Sequence, residues 1–256
     1  MKTVIYKLTT EKLEKKLRIV LISDVHDKVD ARILASVKQL SPDIIAIPGD
    51  LTSRLDKLDG EWAETDKKYA IHNDAFLLLK SFSSIAPTFY SFGNHELCGH
   101  YYKKNFGLSA HPENTELIKK SGACLLCDSF IRTDGDICIG GLTSGMTSPE
   151  LEPQLSWLDS FERQNGFRIL LCHHPEYYEK YLKNRDIDII LSGHAHGGQI
   201  RLFGRGLFAP GQGILPEYDG GFYDRKLVVG RGLANTAPFP RFFNPREIVV
   251  LDICPL

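Results

Sequence analysis

A chain of 256 residues with a formal net charge of −1 is long enough for a substantial core and too evenly charged for a global attraction to nucleic acid. Apolar residues make up 43% and charged residues 25%, an ordinary soluble composition, and no apolar run approaches the ~18 residues of a membrane span. The opening segment, MKTVIYKLTTEKLEKKL, lacks the apolar stretch and cleavage site of an export signal, so the expected location is cytoplasmic.

The predicted elements alternate between short Ile- and Val-rich runs and helical stretches, the pattern of an α/β chain. Residues 18–23 read as a strand, and a helix runs from Asp30 to Leu40 with Asp30 able to cap it. Residues 43–47 form the next strand, stopped by Pro48 and Gly49. A polar stretch over 52–66 leads to a helix over 67–82, and residues 87–92 make a third strand halted by Gly93. Shorter strands follow over 123–127, 129–133 and 136–141, then a helix after Pro153 and strands over 167–172 and 186–191. Residues 199–253 are rich in Gly, Pro and aromatics and end in the strand EIVVLDI. No repeat or linker interrupts the chain, so residues 1–256 are read as a single domain of two packed sheets with outer helices. The six cysteines (Cys98, Cys124, Cys127, Cys138, Cys172 and Cys254) read as reduced thiols, since the pair Cys124-x-x-Cys127 has no second pair to complete a zinc site.

Metal-capable side chains collect at the carboxyl ends of these strands. Asp24 and His26 follow the first, Asp50 the second, and Asn94 and His95 the third. His173 and His174 end the strand RILLC, and His194 and His196 follow IDIILS. In open α/β sheets that edge is where ligand sites are built. Asp24 with His26, and His194 with His196, stand two residues apart, so extended backbone would point both members of each pair to one side. Taken singly each motif is weak, because Gly49-Asp50 is an ordinary turn and Gly93-Asn94-His95 fits a helix entry. Jointly, always after a strand, they point to a shared metal site.

In this order the residues resemble the calcineurin-like metallophosphoesterases. That family's signature is D-x-H, G-D, G-N-H-[DE], a lone histidine and G-H-x-H. Here it reads Asp24-Val25-His26, Gly49-Asp50, Gly93-Asn94-His95-Glu96, His173 and Gly193-His194-Ala195-His196. The resemblance implies a four-layer αββα sandwich of two mixed β-sheets flanked by helices, with a dinuclear metal site at the carboxyl ends of the strands. It further implies that Asp24, His26 and His196 hold one ion, that Asn94, His173 and His194 hold the other, and that Asp50 bridges them. His173 is preferred to His174 because it stands two before Pro175, as in the family's H-x-P element, which leaves His174 an outer-shell or surface residue. GHAHGGQIRL and VVGRGL…RFFNPREIVVL are similar to a bacterial stand-alone branch, some members of which cleave the pyrophosphate of UDP-diacylglucosamine. Asp27 departs from the Leu common at that position.

The implied activity is hydrolysis of a phosphodiester, phosphomonoester or pyrophosphate bond by a metal-bridged hydroxide. An all-oxygen and nitrogen donor set favours two divalent ions such as Mn, Fe or Zn. Two dications outweigh the charges of Asp24, Asp50 and a hydroxide, so the site attracts an anion, a phosphorylated small molecule or a lipid-linked substrate. In the family pattern His95 assists by donating to the phosphoryl oxygen or protonating the leaving group. Arg201, Arg231 and Arg241 are candidates for a distal phosphate, with Arg231 and Arg241 the substrate-binding expectation. Phe203, Phe208, Tyr218, Phe222 and Tyr223 line an apolar groove, touch a lipid surface or pack the second sheet. Two rival readings are a non-catalytic scaffold and cleavage of a lipid-linked nucleotide at the membrane face. For the latter, Lys12, Lys15 and Lys16 give a weak anionic-surface contact that Glu11 and Glu14 blunt.

Overall fold

The computed structural model describes residues 1–52, 73–96, 112–133, 136–144, 152–235, 237 and 239–256. Along the chain come β1 (Lys2–Thr10), β2 (Leu17–Leu21), α1 (Ala31–Leu40), β3 (Ile44–Ile47), α2 (Asn73–Ser83), β4 (Thr88–Tyr90), α3 (Pro112–Lys120) and β5 (Cys124–Leu125). The second half begins with β6 (Ser129–Arg132), β7 (Ile137–Leu142), α4 (Leu158–Glu162), β8 (Phe167–Cys172) and β9 (Ile189–Ser192). Four two-residue strands follow, β10 (Arg201–Leu202), β11 (Arg205–Gly206), β12 (Phe208–Ala209) and β13 (Gly213–Ile214), then β14 (Gly221–Tyr223), β15 (Leu227–Val229) and β16 (Glu247–Pro255).

The strands assemble into two six-stranded mixed sheets, ordered β1-β16-β2-β3-β4-β5 and β14-β15-β9-β8-β7-β6. In the first, β2, β3, β4 and β5 run parallel and β16 antiparallel to β2. In the second, β7, β8, β9 and β15 run parallel, with β6 and β14 antiparallel at the two edges.

Alternation along the strands sorts side chains between layers. Ile19 and Leu21 of β2 and Val249 and Leu251 of β16 face Ile169, Leu171, Ile189 and Leu191 of the other sheet. Their neighbours Val20, Ile22, Ile248 and Val250 turn outward, against Ile33 and Val37 of α1, Leu79 and Phe82 of α2 and Ile118 of α3. On the far side Cys138, Leu170, Ile190 and Val229 pack against Leu158 and Phe161 of α4 and against Tyr178 and Leu182 of a wide helical turn. The result is the expected four-layer αββα arrangement.

α1 carries its expected cap. Asp30 has extended backbone and its carboxylate accepts from the Arg32 amide at 2.9 Å, while Ser41 ends the helix in the left-handed region. The other elements depart more. Among the described residues the helix expected over 67–82 covers Asn73–Ser83, and the one after Pro153 is a five-residue turn. β1, α3 and the small hairpins between Arg201 and Ile214 were not anticipated.

Candidate metal centre

The carboxyl ends of β2, β3 and β4 from one sheet meet those of β8 and β9 from the other, and the expected side chains arrive there together. Asp24, His26 and His196 form one buried donor group, and Asp50, His173 and His194 another. Asp50 Oδ2 lies between them. It stands 3.0 Å from His173 Nε2, 3.7 Å from His26 Nε2 and 3.8 Å from His95 Nε2. Asp24 Oδ1 lies 3.5 Å from His196 Nε2 and 4.0 Å from both His26 Nε2 and His173 Nε2.

The backbone that delivers these groups is not the extended chain that the two-residue spacing suggested. Asp24, His26, Asp50, His194 and His196 all have positive φ, between 47° and 65°. Each such residue stores strain that its surroundings must hold. Here the Val25 and His26 amides donate to Asp50 O at 2.8 and 3.2 Å, and the Asp24 carboxylate accepts from the His194 amide at 3.0 Å. The side chains therefore converge through tight turns tied to one another, a correction to the strand-face argument. Gly49 and Gly93 allow this crowding. A Cβ on Gly49 would stand 2.2 Å from the Gly93 nitrogen, and one on Gly93 would stand 2.2 Å from Asp50 Oδ1.

Tautomers are fixed from outside. His26 Nδ1 donates to Thr52 O at 3.1 Å and His173 Nδ1 to Pro48 O at 3.0 Å, so each turns its Nε2 toward the centre. Burial lowers His26 to a pKa of about 3 and also lowers His196. Their Nε2 atoms nonetheless face each other at 3.3 Å. Burial alone would lower His173 too, but the Asp50 carboxylate overrides it and raises the imidazole to about 9. His194 is pushed well down by burial and by the neighbouring His174 and His173 rings.

A cation fits this arrangement. Asp24 Oδ2, Asn94 Oδ1 and His194 Nε2 are buried without a hydrogen-bond partner among the described residues. The donors are carboxylate, amide and imidazole with no thiolate, the set suited to borderline and hard divalent ions. Cys124, Cys127, Cys138, Cys172 and Cys254 are free and take no part. His95 sits at the rim, its side chain 14% exposed where those of His26 and His173 are fully covered.

The family model for calcineurin-like phosphoesterases matches residues 17–198, the span that carries every one of these donors. The chain belongs to that family. Its relatives include an uncharacterized metallophosphoesterase of Campylobacter jejuni, 31% identical over 94% of this chain and 60% of its own length. One from Helicobacter pylori is 28% identical over 96% of this chain and 62% of its length. One from Aquifex aeolicus is 25% identical over 97% of this chain and 90% of its length. The chain thus spans about 60% of the first two relatives.

In this calcineurin-like chain the Arg241 guanidinium is turned to the surrounding backbone. Its Nη1 donates to Gly232 O and Ala234 O, and its Nη2 to His196 O, Arg231 O and Asn244 Oδ1. It is a clamp on the loops around the site. Arg201 is buried and paired with Asp219 at 2.9 Å. Arg231 lies 3.5 Å from Glu247. His174, left between outer shell and surface, is buried; its Nδ1 meets Glu176 Oε1 at 2.9 Å and its ring lies 4.0 Å from that of His194. His72, His100 and His111 lie outside the described residues.

Glu96 is the residue whose role the sequence reading left unassigned. Fully buried, it accepts from the amides of Asp50, Leu51, Thr52 and Gly93 and from the Tyr90 hydroxyl, all within 3.3 Å. It thereby locks the Asp50 turn to the Asn94 turn, while burial and the Asp50 charge raise its pKa. The acid closing G-N-H-[DE] was the available signal. Glu176 is a second such group, 3.9 Å from His194 Nε2.

The aromatic stretch divides. Tyr218 is buried, and Phe222 and Tyr223 pack against the core, whereas Phe203 and Phe208 are exposed. Among the described residues no helix is long and apolar enough to cross a membrane.

Proposed function

We propose that this protein hydrolyses phosphate esters or anhydrides with the help of two divalent cations, Mn, Fe or Zn. Asp24, His26 and His196 hold one ion, Asn94, His173 and His194 the other, and Asp50 lies between both. The observation that carries this reading is the position of Asp50 Oδ2, within 3.7 Å of imidazole nitrogens from both donor groups. Divalent ions at such a site supply Lewis acidity and lower the pKa of an attacking water to about 7.

The chain's own residues do the rest. Four neutral imidazoles, one amide and only two carboxylates leave the loaded site short of negative charge, so it draws in a phosphoryl group. Glu96 keeps the Asp50 and Asn94 turns in register. His95 would give a proton to the leaving oxygen, a role that its rim position and its amide bond to Asp50 Oδ1 at 3.0 Å support. A lipid-linked phosphoanhydride is a second reading of the substrate. It is favoured by the exposed apolar loops beside His196, where Arg241 and Asn244 both bond the His196 carbonyl.

The test is a hydrolysis panel with added Mn, comparing bis-nitrophenyl phosphate, nitrophenyl phosphate, cyclic nucleotides and a UDP-linked lipid. Metal content is measured on the same sample. About two ions per chain are expected, with turnover of at least one of these esters. Asp50→Asn should lose bound metal and at least about a thousandfold in kcat/KM. A wild-type protein that binds one ion, or an Asp50→Asn variant that turns over normally, overturns the reading.

A further inference from the structure

Three bulky apolar residues combine two unfavourable properties. Phe203, Leu215 and Phe243 have φ of 50°, 54° and 50°, a region that costs any non-glycine residue and is rare for large side chains. The same three are 105%, 62% and 80% exposed. Phe203-Gly204 is the two-residue loop of the β10–β11 hairpin, both at positive φ, where Asn-Gly is the preferred pair. A folded chain gains nothing in water from a strained, uncovered phenylalanine at a turn built for asparagine. Phe208, Ile214 and Phe242, each more than half exposed, extend the same surface. The two segments are joined, since the Arg201 amide donates to Phe242 O at 3.0 Å.

We infer that these loops dock onto an anionic lipid bilayer, with the phenylalanines entering the headgroup–acyl boundary and the metal centre held beside it. Strain and exposure at the turn tips become useful where the tips enter an apolar phase. The charge agrees. Residues 200–215 and 239–245 carry Arg201, Arg205 and Arg241 and no Asp or Glu. Arg201 is neutralised by Asp219, but Arg205 is exposed among the apolar tips and attracts an anionic surface. Exposed Glu217 lines the same cavity as Arg205 and Leu215, so a second copy of the chain is the rival occupant, and the oligomeric state is read in the same test. The docking rests on the loops and on no step of the proposed hydrolysis.

The test is co-sedimentation of the whole chain with phosphatidylcholine vesicles, with and without about one-third phosphatidylglycerol. The comparison is the double variant Phe203→Asn/Phe243→Asn, in which both replacements tolerate positive φ and Phe203→Asn installs the favoured Asn-Gly turn. Wild type should bind the anionic vesicles, and the variant should partition at least about tenfold more weakly while melting no lower. Hydrolysis of a water-soluble nitrophenyl ester should be equal in the two, which separates loss of docking from loss of chemistry. Absence of wild-type binding, or equal binding by the variant, overturns the inference. So does a wild-type dimer in sedimentation equilibrium that the double substitution dissociates.

Discussion

Asp50 is where charge, geometry and protonation meet. His173 and His95 hold its carboxyl well below the usual range against the opposing effect of burial, and the same contact raises His173 to about 9. In the ion-free protein His173 therefore carries a proton at neutral pH, and a cation must expel it. Apparent metal affinity should rise with pH up to about 9, by about tenfold per unit, and level off above. Calorimetric titrations in two buffers of different ionisation enthalpy would read the released proton, and an affinity unchanged across that range would disprove the coupling. The sign for stability is opposite. A raised histidine strengthens the ion-free fold below its unfolded pKa and loses that contribution as pH climbs through about 9. His95 makes a different prediction. His95→Ala should keep both ions and lose about 10²–10⁴-fold in kcat, measured on the best ester of the panel with metal content as the control. The donors were legible in the sequence because each ends a strand within a recognisable motif. The grip of Arg241 on the carbonyls of Gly232, Ala234 and His196 was not, because no residue type advertises backbone partners.

Strands with both faces covered were the most legible elements. β2, β3, β8 and β9 are near-continuous apolar runs rich in Ile and Leu because helices lie on one side and a second sheet on the other. β1 was missed for the converse reason. It is an edge strand that buries only Leu8, so KTVIYKLTT has no apolar run to mark it. The hairpins from Arg201 to Ile214 were missed because two-residue strands have no period, and α3 because its sequence PENTELIKK is mostly polar. The inter-sheet layer should be the stability core. Leu171, fully buried among residues of both sheets, should cost about 2–5 kcal/mol as Leu171→Ala. A urea titration with unchanged m-value would report it, and a loss under about 1 kcal/mol would mean that the layer collapses freely around the gap.

At the scale of the whole molecule, five turns from two sheets are held together at one seam, and the ions should brace it. Mn at about a hundred times its Kd should add ~2.7 kcal/mol per site. That raises Tm by about 5–10 °C for each ion in a chain of this size. A chelator should reverse the shift in scanning calorimetry, and equal melting with and without metal would mean that the seam is rigid on its own. The first sheet carries a separate consequence of its strand order. β16 lies between β1 and β2, with Val4 beside Val249 on one flank and Val20 beside Val250 on the other. Until residues 247–255 leave the ribosome, β1 lacks the partner it pairs with here and β2 shows an unfilled edge. Closure of this sheet must then wait until about 225 residues after β2 have been made, and the nascent chain needs protection from pairing with other chains until β16 slides into the slot.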